Sequence, residues 1–103
     1  MASPPKPTPL THAVVERLNM LFTGDEREVA KELLLLQCGQ NLPFLGDTHP
    51  EDFDRYRLAA LKVSQGKMEL LIAGIDLAKT DWRDLLMAAD FGHDVNAHLH
   101  WYP

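Results

Sequence analysis

Three of the five histidines, His93, His98 and His100, crowd the C-terminal segment, with the Asp94 carboxylate beside the first. Imidazoles joined by a carboxylate form a ligand set suited to zinc or nickel. The spacing restricts how they could meet. His98 and His100 point the same way only on an extended chain, and His93 and His98 miss the i, i+4 pairing that places two ligands on one helix face. A terminal segment also lacks the surrounding groups that orient metal ligands. A metal-binding protein or metal-dependent enzyme built on His93, Asp94, His98 and His100 is therefore one reading. Surface histidines near the end of a helix are the plainer one.

Other candidate chemistry is thinner. Cys38 is the only cysteine, so the chain can form no internal disulfide, which suits a reducing compartment. Its place near the end of a helical pattern is where the dipole disfavours a thiolate, so it reads as a small core residue rather than a nucleophile. A Cys–His pair would need His12 or His49 to approach it in space. Carboxylates recur in close pairs, Asp52 with Asp54 and Asp81 with Asp84, on charge-rich segments where such pairs face solvent. No glycine-rich phosphate loop and no GxSxG string occurs. We assign no catalytic residue and expect no cofactor.

The chain carries 10 basic and 15 acidic residues, a net charge of −5, with the two signs interleaved (Asp25-Glu26-Arg27-Glu28, Asp52-Phe53-Asp54-Arg55). No basic stripe is available to neutralise phosphates, so nucleic acid and anionic membrane are disfavoured as partners. The helix–joint–helix pattern at residues 67–91 has the outline of a DNA-binding motif. Its second helix opens Asp81-Trp82-Arg83-Asp84, which would set two carboxylates against a polyanion. The N-terminal sequence lacks the apolar core of a secretory signal, and Leu33–Leu36 is far too short to span a bilayer. A cytoplasmic location is the expectation.

Helices must position these residues. With 103 residues the chain exceeds the ~70–80 below which a core needs staples. Residues 1–8, with three of the seven prolines, are expected as a flexible tail and residues 9–103 as one helical domain. Thr8 is the expected N-cap of a first helix, with Pro9 at its first position and Leu10, Val14, Leu18 and Leu21 along one face. Gly24 is expected to close it, and Asp25 or Thr23 to cap a second helix burying Val29, Ala30, Leu33, Leu34 and Leu36, ended by Gly39. Thr48 and Pro50 open a third, with Phe53, Arg57, Ala60, Leu61 and Ser64 at helical spacing and Gly66 at its end. The fourth runs over about 67–79 and the fifth over about 81–91, with Gly92 beyond it. Gly74, inside the fourth, costs about 1 kcal/mol relative to alanine, a cost that close approach of a neighbouring helix would explain. No run alternates with a period of two, so no sheet is expected.

The fold class read from this pattern is all-α, a compact bundle of about five short helices, partly orthogonal. The fourth segment is apolar nearly all round (Met68, Leu70, Leu71, Ile72, Ala73, Ile75, Leu77, Ala78), and such a helix is expected to be enclosed by others. Paired with the fifth (Trp82, Leu85, Leu86, Ala89, Phe91), it is the expected centre of the domain. Two apolar groups are harder to bury: Leu42, Phe44 and Leu45 in the loop before the third helix, and Trp101 with Tyr102 at the end. They either cap the core or, with Tyr56 or Trp82 in support, form a surface for a protein partner or a second copy of the chain. A non-catalytic interaction module, self-associating as a homo-oligomer, is the leading functional expectation.

Overall fold

The computed structural model describes residues 8–39, 50–94 and 96–103, with the side chains of 50–52 excepted. Among the described residues there are five α-helices and no strand. They are α1 (His12–Leu21), α2 (Gly24–Gln37), α3 (Pro50–Ser64), α4 (Met68–Thr80) and α5 (Trp82–Ala88), followed by a short 3-10 helix, Ala97–His100, which the sequence pattern did not indicate. The all-α expectation holds. No helix among the described residues is long and apolar enough to cross a membrane.

The centre of the fold is α3, not the α4–α5 pair. It packs against α1, α4, α5 and the 3-10 helix. Tyr56, Arg57, Leu58, Ala59, Ala60 and Leu61 are buried in succession, so this stretch is covered on every side. Small residues explain how: Ala59 and Ala60 let neighbouring backbones come close. A Cβ added to Gly74 of α4 would lie 2.9 Å from Val63 Cγ2 and 3.4 Å from Ala60 Cα, which is the close approach expected for that glycine. The row Phe53, Arg57, Ala60, Leu61, Ser64 is buried as its spacing indicated. The more apolar α4 lies to one side. It turns Leu71, Gly74, Ile75 and Ala78 inward and leaves Leu70, Ile72 and Ala73 exposed. A continuous apolar run is no guarantee of enclosure, because neighbours can cover only the face they reach.

Arg57 is the largest fully buried side chain. Its guanidinium donates to three main-chain carbonyls: Nε to Cys38 at 2.8 Å, Nη1 to Pro9 at 3.0 Å and Nη2 to Thr8 at 2.7 Å. The planar fork thus joins the N-terminal segment to the end of α2 through α3, with the Phe53 ring 5.5 Å from its central carbon. Burial lowers its pKa, and the nearby Asp54 carboxylate opposes that shift. Gly39 leaves room for the group, since a Cβ there would sit 2.6 Å from Nη2.

This anchoring corrects the expected start of α1. The carbonyls of Thr8 and Pro9 are held by Arg57, and the helix begins later, with Thr11 as N-cap. The Thr11 hydroxyl accepts from Val14 N–H at 3.5 Å and donates to both Asp54 oxygens, at 2.8 and 2.9 Å. Asp54, expected at the surface, is therefore only 4% exposed. Thr8 is buried rather than part of a free tail.

Two other ends also differ. Gly24 does not terminate α1, which stops at Leu21; it opens α2 after the extended Phe22 and Thr23, with φ +60°. The α5 helix stops at Ala88, before the expected Phe91, and Asp90 takes a left-handed φ of 60°. The physical reason is Phe91. It leaves the helix to bury its ring against His98 and Trp101, at centroid distances of 6.3 Å each. Gly66 ends α3 as expected, with φ +78°, and Gln65 shares the left-handed region.

Replacing Arg57 by leucine should destabilise the chain by about 3–5 kcal/mol, because three buried carbonyls lose their donors. Urea denaturation followed by circular dichroism measures it. Gly39→Ala alone should destabilise, and its cost should shrink in the Arg57→Leu background, where the crowded guanidinium is gone.

Candidate interaction surface

The run Leu33–Leu36 occupies one full helical turn, so its side chains cannot all point inward. Leu34 is buried, Leu33 and Leu35 are half-buried, and Leu36 is 44% exposed; Val29, a turn before Leu33, is 47% exposed. Across from them, α4 presents Ile72, also 44% exposed. Two shallow depressions lie here. One, of about 160 Å³, is lined by Val29, Glu32, Leu33, Leu36 and Gln37. The other, of about 210 Å³, is lined by Leu33, Gln37, Ile72, Ile75, Asp76 and Lys79. They share Leu33 and Gln37, so they form one trough running from α2 onto α4.

The trough has an apolar floor and a rim of both charge signs, with Glu32 and Asp76 against Lys79. Lys79 Nζ donates to Gln37 Oε1 at 2.7 Å, tying the two helices together at the junction. The sequence pattern placed Val29, Leu33 and Leu36 on the buried side of α2 and selected none of the trough residues as a surface for a partner; Val29 and Leu36 are instead exposed. The signal was present in the four consecutive leucines, which exceed what one face of a helix can bury.

The expected partner-binding residues stand differently. Leu42, Phe44 and Leu45 lie outside the described residues. Trp101 is half-buried, packed edge-on against Phe91, and its carbonyl accepts from Arg17 Nε at 2.9 Å. Tyr102 is 56% exposed, with the Arg17 guanidinium carbon 4.0 Å from its ring centroid. Arg17, itself buried, also donates to the Leu99 carbonyl at 3.3 Å. The C-terminal segment is thus fastened to α1. Of the supporting aromatics, Tyr56 is buried and meets the half-buried Trp82 edge-to-face at 6.0 Å.

The histidines do not converge. His93 is exposed, with Nδ1 3.6 Å from Asp90 Oδ1. Asp94 turns its carboxylate to the Asn96 N–H at 2.8 Å. His98 points into the core at 7% exposure, and His100 is at the surface. Among the described residues no three His, Cys, Asp or Glu side chains are placed to hold a metal ion. In the 3-10 helix Ala97 and His98 turn toward the core while Leu99 and His100 face water, and that separates His98 from His100. His98 has its own constraint: its buried Nδ1 has no hydrogen-bond partner among the described residues. Burial first, then the charges of Arg55 and Arg17, lower its pKa below the usual 6.5.

Cys38 is fully buried, and burial pushes its thiol up to about 12, with Arg57 and Lys79 opposing. A thiol so placed is no nucleophile at neutral pH. The His12 side chain is turned to solvent, 3.8 Å from Glu16, and His49 lies outside the described residues.

Two outcomes follow. Native Cys38 should resist an aromatic disulfide reagent and react only as denaturant unfolds the chain. His98, held neutral, binds fewer protons in the native state than in the unfolded one below its unfolded pKa. Its contribution to stability is therefore complete above that value and is lost as the pH falls through it. Urea midpoints should drop between about pH 7.5 and pH 5.5, and His98→Leu should flatten that slope. No family model, curated protein or solved structure matches the chain, so the geometry of its own residues carries the functional argument.

Proposed function

We propose that this chain is a non-catalytic interaction module that associates with a second copy of itself through the α2–α4 trough. The observation that carries the reading is the outward face of the apolar α4 helix. Ile72 stands exposed beside Val29 and Leu36 of α2, on a surface that the chain's own described elements leave open. Exposed apolar side chains gathered on a concave, charge-rimmed surface are what protein contacts use.

The rim argues for a second copy as the occupant. It carries acids on both helices, Glu32 and Asp76, and a base, Lys79. In a two-fold contact each patch meets its own image, so a surface with both signs can match base to acid twice. The trough is shallow, and contacts well below the roughly 800 Å² per partner of a standard interface are weak, so association in the micromolar range is expected. The interleaved charge and the absence of a basic stripe also speak against a nucleic-acid partner. A single cysteine, shut in the core, suits a cytoplasmic location. The alternative metal site at His93, Asp94, His98 and His100 has no converging ligand set in its favour.

Sedimentation equilibrium over a range of loading concentrations tests the proposal. The weight-average mass should climb from 11.6 kDa towards twice that value. Ile72→Asp and Leu36→Asp should hold it at the monomer while leaving the helical dichroism unchanged, since both positions already face water. A wild-type mass fixed at the monomer value throughout would overturn the reading, as would association undiminished in both variants.

A further inference from the structure

A cleft of about 370 Å³ opens between α5 and the half-buried Arg55 of α3. Its lining is Arg55, Trp82, Arg83, Leu86, Met87 and Gly92. The size falls in the range of small-ligand sites, and it exceeds either depression of the α2–α4 trough. The chemistry of the lining is one-sided. Leu86 is buried at the base, the half-buried Trp82 supplies an aromatic wall, and Met87, 73% exposed, supplies a flexible apolar rim. Among the described residues the two charged groups of the lining are both guanidinium ions, and no carboxylate is among them.

In a chain of net charge −5, two arginines facing one cleft with no acid between them among the described residues call for an explanation. Among the described residues neither Arg55 nor Arg83 has a carboxylate within ion-pair distance. Arg83 lies over the Trp82 ring, its central carbon 5.2 Å from the centroid, which props the guanidinium against the aromatic wall. Arg55 is oriented by a hydrogen bond from Nη2 to the Phe91 carbonyl at 2.9 Å, while its buried Nε has no acceptor among the described residues. Its charge is thus partly desolvated and, among the described residues, not paired with a carboxylate. Such a group gains more from an arriving anion than a solvated one does.

We propose that this cleft binds a carboxylate carried on a compact apolar or aromatic body. The carboxylate would pair with Arg83 and the charge of Arg55, and the body would lie between Trp82, Leu86 and Met87. Two sources share that chemistry: a free small carboxylic acid, and the C-terminal residue of a peptide ending in a large apolar side chain. The cleft involves none of the residues of the α2–α4 trough, so the two readings stand or fall separately.

The test is a titration of uniformly ¹⁵N-labelled chain with 3-phenylpropionate, followed by the Arg Nε–H and Trp indole N–H resonances. The expected result is a saturable shift of the Trp82 and Arg55 signals, with Trp101 unmoved and a dissociation constant below about 1 mM. Arg83→Gln, at an exposed position, should weaken binding about tenfold while leaving the thermal midpoint in place. The uncharged analogue 3-phenylpropan-1-ol should bind at least tenfold more weakly than the acid. A short peptide ending in phenylalanine, compared with its C-terminal amide, identifies the source. Tighter binding by the free-carboxylate peptide than by 3-phenylpropionate assigns the site to peptide termini, and its exclusion assigns it to free acids. Absence of a saturable shift, equal binding of the alcohol, or an unaltered Arg83→Gln titration would each overturn the proposal.

Discussion

The Arg57 guanidinium carries a positive charge into a site without solvent contact, and its hydrogen-bond geometry leaves little freedom to the chain around it. Its three bonds end on Thr8, Pro9 and Cys38, all main-chain carbonyls outside regular helix. Leaving such a charge without acceptors would cost several kcal/mol, as would burying three carbonyls without donors. Each requirement answers the other. The position of α1, the approach of the α2 terminus and the burial of α3 are therefore coupled through one planar group. Gly39 belongs to the same arrangement, because any side chain there meets Nη2.

Two further arginines repeat the device at the other end of the chain. Arg17 on α1 holds the carbonyls of Leu99 and Trp101, and Arg55 on α3 holds that of Phe91. Irregular segments cannot satisfy their own carbonyls, and a helix-borne guanidinium offers several donors in one plane. The device has consequences for chemistry. It brings two positive charges towards His98, where burial and those charges lower the imidazole pKa and Nδ1 has no hydrogen-bond partner among the described residues. Histidines that might have gathered around an ion are instead divided between core and solvent by the geometry that fixes Trp101.

Enclosure and apolarity part company in this fold. The helix covered on all sides, α3, includes Asp54, Arg57 and Ser64 among its buried residues, whereas the continuously apolar α4 keeps Ile72 and Leu70 in water. Centrality follows from being able to accept neighbours closely on every side, for which Ala59 and Ala60 are suited. Greasiness decides only that some contact is favoured. When the chain's own helices do not reach a greasy face, the unmet preference is available to another surface. That mismatch is the observation on which the proposed self-association rests.

Much of the architecture was legible as pattern. The number of helices, their approximate limits, the buried row of α3 and the close approach at Gly74 follow from a three-to-four-residue apolar period and from glycine placement, which are local properties. The cap of α1, the early end of α5 and the burial of Asp54 were not legible, because each depends on a partner distant in sequence: Arg57 on Thr8 and Pro9, His98 and Trp101 on Phe91, Thr11 on Asp54. The same holds for the surfaces. The apolar period of α2 placed Val29 and Leu36 on its buried side, and the structure leaves both exposed because no neighbouring helix among the described residues covers them. That Val29, Leu36 and Ile72 share a trough, and that Arg55 and Arg83 share a cleft, was decided only when the helices packed. Periodicity tells which side of a helix is apolar, but the neighbours that cover or bare that side are chosen by the fit of whole helices in three dimensions.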